Sequence, residues 1–245
     1  MLGSIIELWR YPVKSMQGEA LAACRFAPDG VIGDRSWAIV DPARGYPVSA
    51  KQAPVLMTLR ASFVTEPTAE EVGQVAIESE DGQHRFDSRD PDVNQQLSAF
   101  FKHPLTLEKS QGRGFFDDAP LHLVTRQTLE RLSLLSNQGE SGAQFDRRRF
   151  RANLLVDAVA DDRPWPEQRW SFRKLTIGET GFTVRSGTER CAMVTMPFAD
   201  LPGDPSILKT TMQSTRGIVG VYLSADALGS LSVGDPIARA WWQLR

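Results

Sequence analysis

Cysteine and histidine are scarce in this 245-residue sequence, which contains two cysteines and three histidines. Cys24 and Cys191 are too few for a disulfide framework, and their number is typical of a protein from a reducing compartment. The histidines show no metal-ligand spacing with one another or with either cysteine. The sequence therefore argues against a disulfide-stabilised secreted domain and against a histidine-rich metal site.

Long hydrophobic runs and a strong charge of either sign are absent as well. No uninterrupted apolar segment approaches the ~18 residues that a membrane-spanning helix needs. The first residues lack the basic start of a signal peptide. The formal net charge of -2 supplies no field that would attract nucleic acid or an anionic membrane. We therefore expect a cytoplasmic protein with no nucleic-acid partner and no membrane partner.

Short candidate strands bounded by turn residues form most of the remaining pattern. With 41% hydrophobic and 24% charged residues, the composition is that of an ordinary globular protein, and the chain is long enough to bury a core. Helical spacing occurs at residues 90–101 and 125–135. Strand patterns occur at residues 4–11, 21–26, 36–40, 56–64, 75–78, 84–86, 153–156, 174–177, 182–184, 220–223 and 236–240.

These elements predict a β-dominated α+β fold. Short strands at this spacing favour a sandwich or a barrel over repeated strand–helix units. We expect a strand-rich, β-barrel-like N-terminal lobe over residues 1–100, and a second β lobe with a few short helices over residues 101–245. The flexible loop at residues 110–118 is of the kind that lines a functional site.

Cys191 is the residue that best indicates chemistry. It directly follows Arg190, and a neighbouring cation stabilises the thiolate, which is the form that binds soft metals or acts as a nucleophile. The alternative interpretation is a buried structural cysteine, because free cysteine is among the most buried residue types. Cys24 lies in a short apolar strand and fits that alternative. His122, beside two leucines, is predicted to be a packed core residue.

Six segments follow one another along nearly the whole chain: WRYPVKSMQGE (9–19), GVIGDRSW (30–37), PLHLVT (120–125), RFRANLLV (149–156), RCAMVT (190–195) and VGDP (233–236). In this order they resemble the segments of the MOSC proteins. The subgroup they resemble most is that of the mitochondrial amidoxime-reducing component and its bacterial relatives, which are similar to the C-terminal domain of molybdenum cofactor sulfurase.

The resemblance implies an MOSC N-terminal β-barrel subdomain followed by an MOSC β-barrel domain. It also implies a molybdenum cofactor, in which molybdopterin carries the metal, held between the two lobes with Cys191 as a metal ligand. The implied reaction is the two-electron reduction of small N-hydroxylated substrates such as amidoximes and hydroxylamines. The sequence ends at Arg245, soon after the last of these segments, so we expect it to lack the ferredoxin-like domain that some bacterial relatives append. A separate electron-transfer protein is then expected to supply the electrons. Ala152 stands where the family usually has proline.

The N-terminal segments contribute three candidate cofactor-binding residues. Lys14 and Ser15 offer an ammonium and a hydroxyl side by side, which together suit a phosphate group. Arg35 follows a turn and precedes a strand, and its guanidinium suits phosphate or pterin carbonyl oxygens. The alternatives are a surface lysine at a strand end and an Arg35 that pairs with Asp34 or Asp41.

The remaining candidates come from the second half of the chain. Arg149, Arg151 and Asn153 alternate in sequence, so we expect them on one face of a strand, where two cations and an amide meet one ligand. By resemblance to the family, Arg151 and Asn153 match the pair of residues that binds the cofactor. Thr125 either binds phosphate through its hydroxyl or the adjacent helix amides, or is a plain N-cap. Arg190 is expected to tune Cys191 or to orient the substrate.

Two further functions are compatible with the same residues. In one, the protein is a non-catalytic molybdenum-cofactor or sulfur-carrier module, and Cys191 carries a persulfide or holds the cofactor for delivery. The sequence contains no pyridoxal-phosphate domain that would generate this sulfur. In the other, the chain is a structural β-protein that kept the fold and lost the site. The joint presence of Lys14, Arg35, Arg151, Asn153 and Cys191 argues against that last hypothesis.

Overall fold

The computed structural model describes residues 1–112, 114–137, 145–159 and 164–240. None of the helices in these ranges is both long and apolar enough to cross a membrane. The helices are α1 (Val93–Phe101), α2 (Arg126–Asn137) and α3 (Ser206–Thr215), with 3-10 segments at Pro54–Thr58, Arg147–Phe150, Pro166–Trp170 and Ala192–Thr195. The strands are β1 (Gly3–Arg10), β2 (Glu19–Leu21), β3 (Ala23–Ala27), β4 (Gly30–Val31), β5 (Trp37–Asp41), β6 (Tyr46–Pro47), β7 (Leu59–Phe63), β8 (Val75–Ser79), β9 (Arg85–Asp87), β10 (Thr106–Lys109), β11 (Leu121–Thr125), β12 (Leu154–Ala158), β13 (Lys174–Ile177), β14 (Thr180–Glu189), β15 (Ile218–Ala225), β16 (Gly229–Ser232) and β17 (Pro236–Arg239).

Seven strands close into a barrel in the order β12-β11-β15-β14-β13-β17-β1, and β1 pairs back with β12. Side chains on alternate positions face the barrel interior, as β15 shows with Val221 and Leu223 fully buried. Phe182 of β14 and Ile5 of β1 pack into the same core. The β-dominated fold expected from the sequence is therefore confirmed.

A second core lies in the N-terminal half of the chain. The sheets β10-β5-β6 and β7-β8-β9 enclose it, together with α1. Trp37, Leu59, Ile77 and Leu97 are among its buried members. The two halves share strands, because β1 joins the barrel and β3 pairs with β16. The division between residues 100 and 101 stays a prediction.

The predicted helices at residues 90–101 and 125–135 are present as α1 and α2, while α3 was not predicted from the sequence. Its start is marked by Asp204, whose carboxylate accepts a hydrogen bond from the Ser206 amide at 2.8 Å. Its buried face consists of Ile207, Thr211 and Thr215 at helical spacing. Two of the three are threonines, so an apolar stripe was missing from the sequence pattern. The strand predicted at 56–64 begins as a 3-10 turn and becomes β7 at Leu59.

Candidate functional site

A cleft of about 460 Å³ is lined by residues from both halves of the chain. It brings together side chains from the 14–15 and 35 turns, the 115–119 loop, β11, the 149–153 segment and the end of β14. Every site residue expected from the sequence lines it except Thr125. These residues are Lys14, Ser15, Arg35, Arg149, Arg151, Asn153, Arg190 and Cys191.

Lys14 reaches the cleft from the turn that follows β1. Its backbone amide donates to the Trp37 carbonyl at 2.9 Å, which holds this turn against β5. Its ammonium donates to the Phe115 carbonyl at 3.0 Å and pairs with the Asp117 carboxylate. The neighbouring Ser15 is buried, with a left-handed φ of 66°, and its hydroxyl accepts from the Ala50 amide at 3.2 Å. Both expected residues therefore line the cleft from one turn.

Arg35 is held in place by a buried carboxylate. Asp34 accepts a hydrogen bond from the Tyr11 amide at 2.7 Å and also pairs with the Arg35 guanidinium. The guanidinium lies 4.6 Å from the centre of the Tyr11 ring and donates to the Arg151 carbonyl at 3.1 Å. The pair with Asp34 that the sequence left open is therefore present, and Arg35 lines the cleft at the same time.

The expectation that Arg149, Arg151 and Asn153 alternate along a strand is wrong. Residues 147–150 form a 3-10 turn, Arg151 has a left-handed φ of 51°, and β12 begins only at Leu154. The turn forms because the Asp146 carboxylate accepts from the Arg148 amide at 2.8 Å and caps its start. The three side chains nevertheless converge on the cleft, from a turn rather than from one face of a strand.

The two arginines of this segment have different surroundings. Arg149 is buried and donates to the backbone carbonyls of Met196 at 3.0 Å and Pro202 at 2.6 Å, so it braces the segment that follows Cys191. Its Nε is buried and has no hydrogen-bond partner. Arg151 lies 4.3 Å from the centre of the Tyr11 ring. Burial, reinforced by the nearby Arg35 charge, lowers the pKa of Arg151 to about 10.

Asn153 connects three strands beneath the cleft. Its amide nitrogen donates to the Trp9 carbonyl of β1 at 3.2 Å. Its side-chain oxygen accepts from the His122 amide of β11 at 3.2 Å. The side chain is almost fully buried at the start of β12, so most of its hydrogen-bonding capacity goes to the protein itself.

Cys191 carries an exposed free thiol at the end of β14. It is the N-cap of the 3-10 turn Ala192–Thr195, and its carbonyl accepts from the Val194 amide at 3.2 Å. The cysteine is therefore fixed by backbone hydrogen bonds while its side chain stays accessible. The interpretation of Cys191 as a buried structural cysteine does not hold.

Arg190 points away from solvent and into the protein. Its guanidinium donates to the carbonyls of Val219 at 2.9 Å and Phe150 at 3.2 Å, and also to the His122 ring. Burial lowers the pKa of Arg190 to about 10. With these acceptors engaged, Arg190 anchors the backbone immediately before Cys191.

His122 is buried, as expected of a core residue, and it also lines the cleft. Its ring accepts from Arg190, and Gly220 of the neighbouring strand leaves the space that the ring fills. Burial, together with the charges of Arg190 and Arg35, lowers the pKa of His122 well below its usual value. The imidazole is therefore neutral in the folded protein at neutral pH.

This pKa predicts a loss of stability in mild acid. Below about pH 6.5 the unfolded chain protonates His122 and the folded chain does not, so the free energy of unfolding falls by up to ~1.4 kcal/mol per pH unit. His122→Gln keeps an acceptor for Arg190 but removes this titration. We expect urea unfolding at pH 7, 6 and 5 to show a shallower pH dependence in the variant. A constant difference between variant and wild type at all three pH values would contradict the assignment.

Two residues discussed from the sequence lie away from the cleft. The Thr125 hydroxyl donates to Glu167 at 2.6 Å and accepts from the Thr128 amide at 3.3 Å, which is the N-cap arrangement. Burial raises the pKa of Glu167. Cys24 is buried in the barrel core, as predicted, and burial raises the pKa of its thiol to about 11.

The cleft fits an anionic ligand that brings a metal with it. Five cationic side chains and three carboxylates line it, in addition to the Cys191 thiol. Among the residues that the structure describes, no group of three or more His, Cys, Asp or Glu side chains is arranged to hold a metal ion. A metal at Cys191 would therefore need most of its ligands from an organic cofactor. A thiolate is the soft donor that such a metal accepts from the protein.

Aromatic side chains in and next to the cleft were not predicted as site residues. Phe116 and Tyr222 line it, and Phe116 lies 6.0 Å from the Arg35 guanidinium. The buried Tyr11 does not line the cleft, but its ring supports the guanidinium groups of Arg35 and Arg151. For Tyr11 a signal existed, since it lies in the same segment as Lys14. No sequence signal marked Tyr222 as a site residue, because the pattern of β15 is that of an ordinary buried strand.

Comparisons with known proteins match both halves of the chain. The model of the MOSC N-terminal beta barrel domain matches residues 2–110, and that of the MOSC domain matches residues 110–238. The molybdenum cofactor sulfurase of Oryza sativa subsp. japonica is 25% identical over 76% of this chain and 27% of its own length. The chain therefore spans about a quarter of that relative.

Two further comparisons cover almost the whole chain. The mitochondrial amidoxime reducing component 2 of Rattus norvegicus is 23% identical over 97% of this chain and 83% of its own length. The crystal structure of the YUAD protein from Bacillus subtilis has a TM-score of 0.50 at 11% identity. It covers 97% of this chain and 94% of that one, and it shows a shared fold.

Proposed function

Since the chain belongs to the MOSC domain family, we propose that its cleft binds the molybdenum cofactor and that the protein reduces N-hydroxylated compounds. The substrates are small amidoximes and hydroxylamines, and a separate electron-transfer protein supplies the electrons. The observation that carries this proposal is the position of Cys191. Its free thiol is exposed at a cleft lined by five cationic side chains, and a nearby guanidinium anchors its backbone.

In this proposal, different residues of the cleft bind different parts of the cofactor. Cys191 would supply the thiolate ligand to molybdenum. Lys14 and Ser15 face the phosphate end, where an ammonium and a hydroxyl suit oxyanions. Arg35 and Arg151 present positive charge along the Tyr11 ring, where it balances the charge of an anionic cofactor.

The overall reaction consumes two electrons and two protons. R–NHOH becomes R–NH2 and water as the N–O bond breaks, and the cofactor, when bound, would supply the two-electron redox change. Tyr222 lines the cleft, and burial raises the pKa of its hydroxyl, so this group stays protonated at neutral pH. Its hydroxyl is a proton donor within the cleft. Arg149 and Arg190 keep Cys191 in place.

The second candidate is a sulfur-carrier or cofactor-delivery module, and an exposed thiol also suits that role. The extent of the alignments favours the reductase. The amidoxime reducing component aligns along 83% of its length, whereas the sulfurase aligns along 27%. The chain thus resembles most of the former protein and a fraction of the latter.

The test begins with the intact chain purified from a host that makes the cofactor. We expect near-stoichiometric molybdenum by mass spectrometry, and reduction of an aromatic amidoxime with a reduced viologen dye as the electron donor. The same chain from a host that lacks cofactor synthesis is the control, and it should carry no molybdenum and show no activity. Molybdenum without reduction of amidoxime or hydroxylamine would favour the carrier. Absence of molybdenum would overturn the proposal.

A further inference from the structure

We propose that Asp117 is a built-in competitor for the anion-binding ammonium of Lys14, and that an entering phosphate group displaces it. The two side chains form an ion pair at the cleft, and both line it. In the protein without ligand, the Asp117 carboxylate therefore occupies the position of an oxyanion. The inference rests on the proposed function only for the identity of the phosphate-bearing ligand.

The exposure of the two partners shows which of them moves. The Lys14 side chain is 12% exposed, whereas that of Asp117 is 82% exposed. A carboxylate that is largely solvated loses little when it returns to water, because exposed ion pairs contribute little free energy. The ammonium is confined by its hydrogen bond to the Phe115 carbonyl. Release of Asp117 therefore leaves Lys14 in place and directed at the ligand.

Asp34 is by contrast a permanent counterion, paired with Arg35, which lines the same cleft. Its side chain is fully buried, and it binds both Arg35 and the Tyr11 amide. Removing that carboxylate would leave a buried backbone donor without a partner, which is costly. Asp34 therefore belongs to the architecture, whereas Asp117 is exchangeable.

The residues before Asp117 are attached to the segment that carries Arg35. The Phe115 amide donates to the Arg35 carbonyl at 2.8 Å, and the Ser110 amide donates to the Ser36 carbonyl at 2.7 Å. These bonds hold the backbone at Ser110 and Phe115, whereas the Asp117 side chain is 82% exposed. We therefore expect a rotamer change of Asp117 to release Lys14 without unfolding of this backbone.

The other cations that line the cleft are less available to a ligand. Arg149 and Arg190 donate to backbone carbonyls, and Arg151 donates to the Met16 carbonyl. Arg35 is paired with its buried aspartate. Within the described part of the chain, Lys14 is therefore the lining cation whose carboxylate partner is solvated. It is the cation at which an anion exchanges most easily.

The experiment measures binding of inorganic phosphate to the metal-free protein by calorimetry at low ionic strength. We expect Asp117→Asn to bind phosphate about twofold to fivefold more tightly than the wild type, which corresponds to the strength of an exposed ion pair. Lys14→Ala should weaken binding. In the Lys14→Ala background, Asp117→Asn should have no further effect, because the competition needs both partners.

Asp118→Asn is the matched control, since Asp118 lines the same cleft and its replacement removes the same charge. If it tightens binding as much as Asp117→Asn, the effect is one of net charge and the proposal is overturned. An unchanged affinity for phosphate in Asp117→Asn also overturns the proposal, and so does the absence of phosphate binding to both the wild type and Asp117→Asn. Molybdenum content, measured separately on the same variants, reports on the proposed function, so the two ideas fail independently.

Discussion

Cys191→Ala is expected to abolish retention of molybdenum and to lower amidoxime reduction by more than about 100-fold, beyond the range for residues that only support a ligand. The physical reason is that the cleft offers a single thiol, and the described residues provide no alternative cluster of metal ligands. Because Cys191 is exposed, the free energy of unfolding should change by less than about 0.5 kcal/mol. Metal analysis and urea unfolding of the same preparation measure both effects.

Cys24→Ala is the matched control for that experiment. It removes the other thiol of the chain, which is buried in the barrel core. We expect it to keep its molybdenum and its activity and to lose about 1 kcal/mol of stability, because it leaves a small cavity. Loss of metal in Cys24→Ala, or full metal content in Cys191→Ala, would be inconsistent with Cys191 as the ligand.

Gly220→Ala is expected to destabilise the protein by about 3–5 kcal/mol, because it combines a steric overlap with an unfavourable backbone conformation. A Cβ at this position would lie 2.2 Å from the His122 ring nitrogen and 2.6 Å from the Leu123 carbonyl oxygen. The residue also has a φ of +84°, which favours glycine. Moving the ring would disturb its contact with Arg190, so molybdenum retention should fall together with stability.

Gly234→Ala separates strain from overlap. Gly234 has a comparable φ of +96°, but a Cβ there would have no atom within 4 Å. We expect a loss of about 1–2 kcal/mol from the backbone alone, with normal molybdenum content. Urea unfolding of both variants gives the comparison. Equal losses would show that the overlap with His122 contributes nothing.

Much of the fold was available from local sequence patterns. The pattern at residues 174–177 predicted β13, and the helical spacings at 90–101 and 125–135 predicted α1 and α2. The 3-10 turn of residues 147–150 was not predicted, since it depends on the cap provided by Asp146. The closing pair of the barrel, β1 with β12, joins residues about 150 positions apart. Local periodicity carries no information about such a pairing.

The sequence by itself determined the residue types of the site. Motifs shared with a known family selected Lys14, Arg35, Arg151 and Cys191, and all four line one cleft. Motif resemblance brought these residues together because it reports on side-chain type; their roles at the site stay a prediction. It also included Thr125, whose hydroxyl is engaged away from the cleft.

Only the tertiary structure decided what each of these side chains does. Arg149 and Arg190 have the charge expected of ligand-binding residues, yet their guanidinium groups bind backbone carbonyls and hold the segment around Cys191. Likewise, the pairing of Lys14 with Asp117 joins residues more than 100 positions apart. The direction of a side chain is set by its non-local neighbours, and these exist only once the barrel has closed. Composition and spacing therefore determined which groups are present, and packing determined which of them face the cleft.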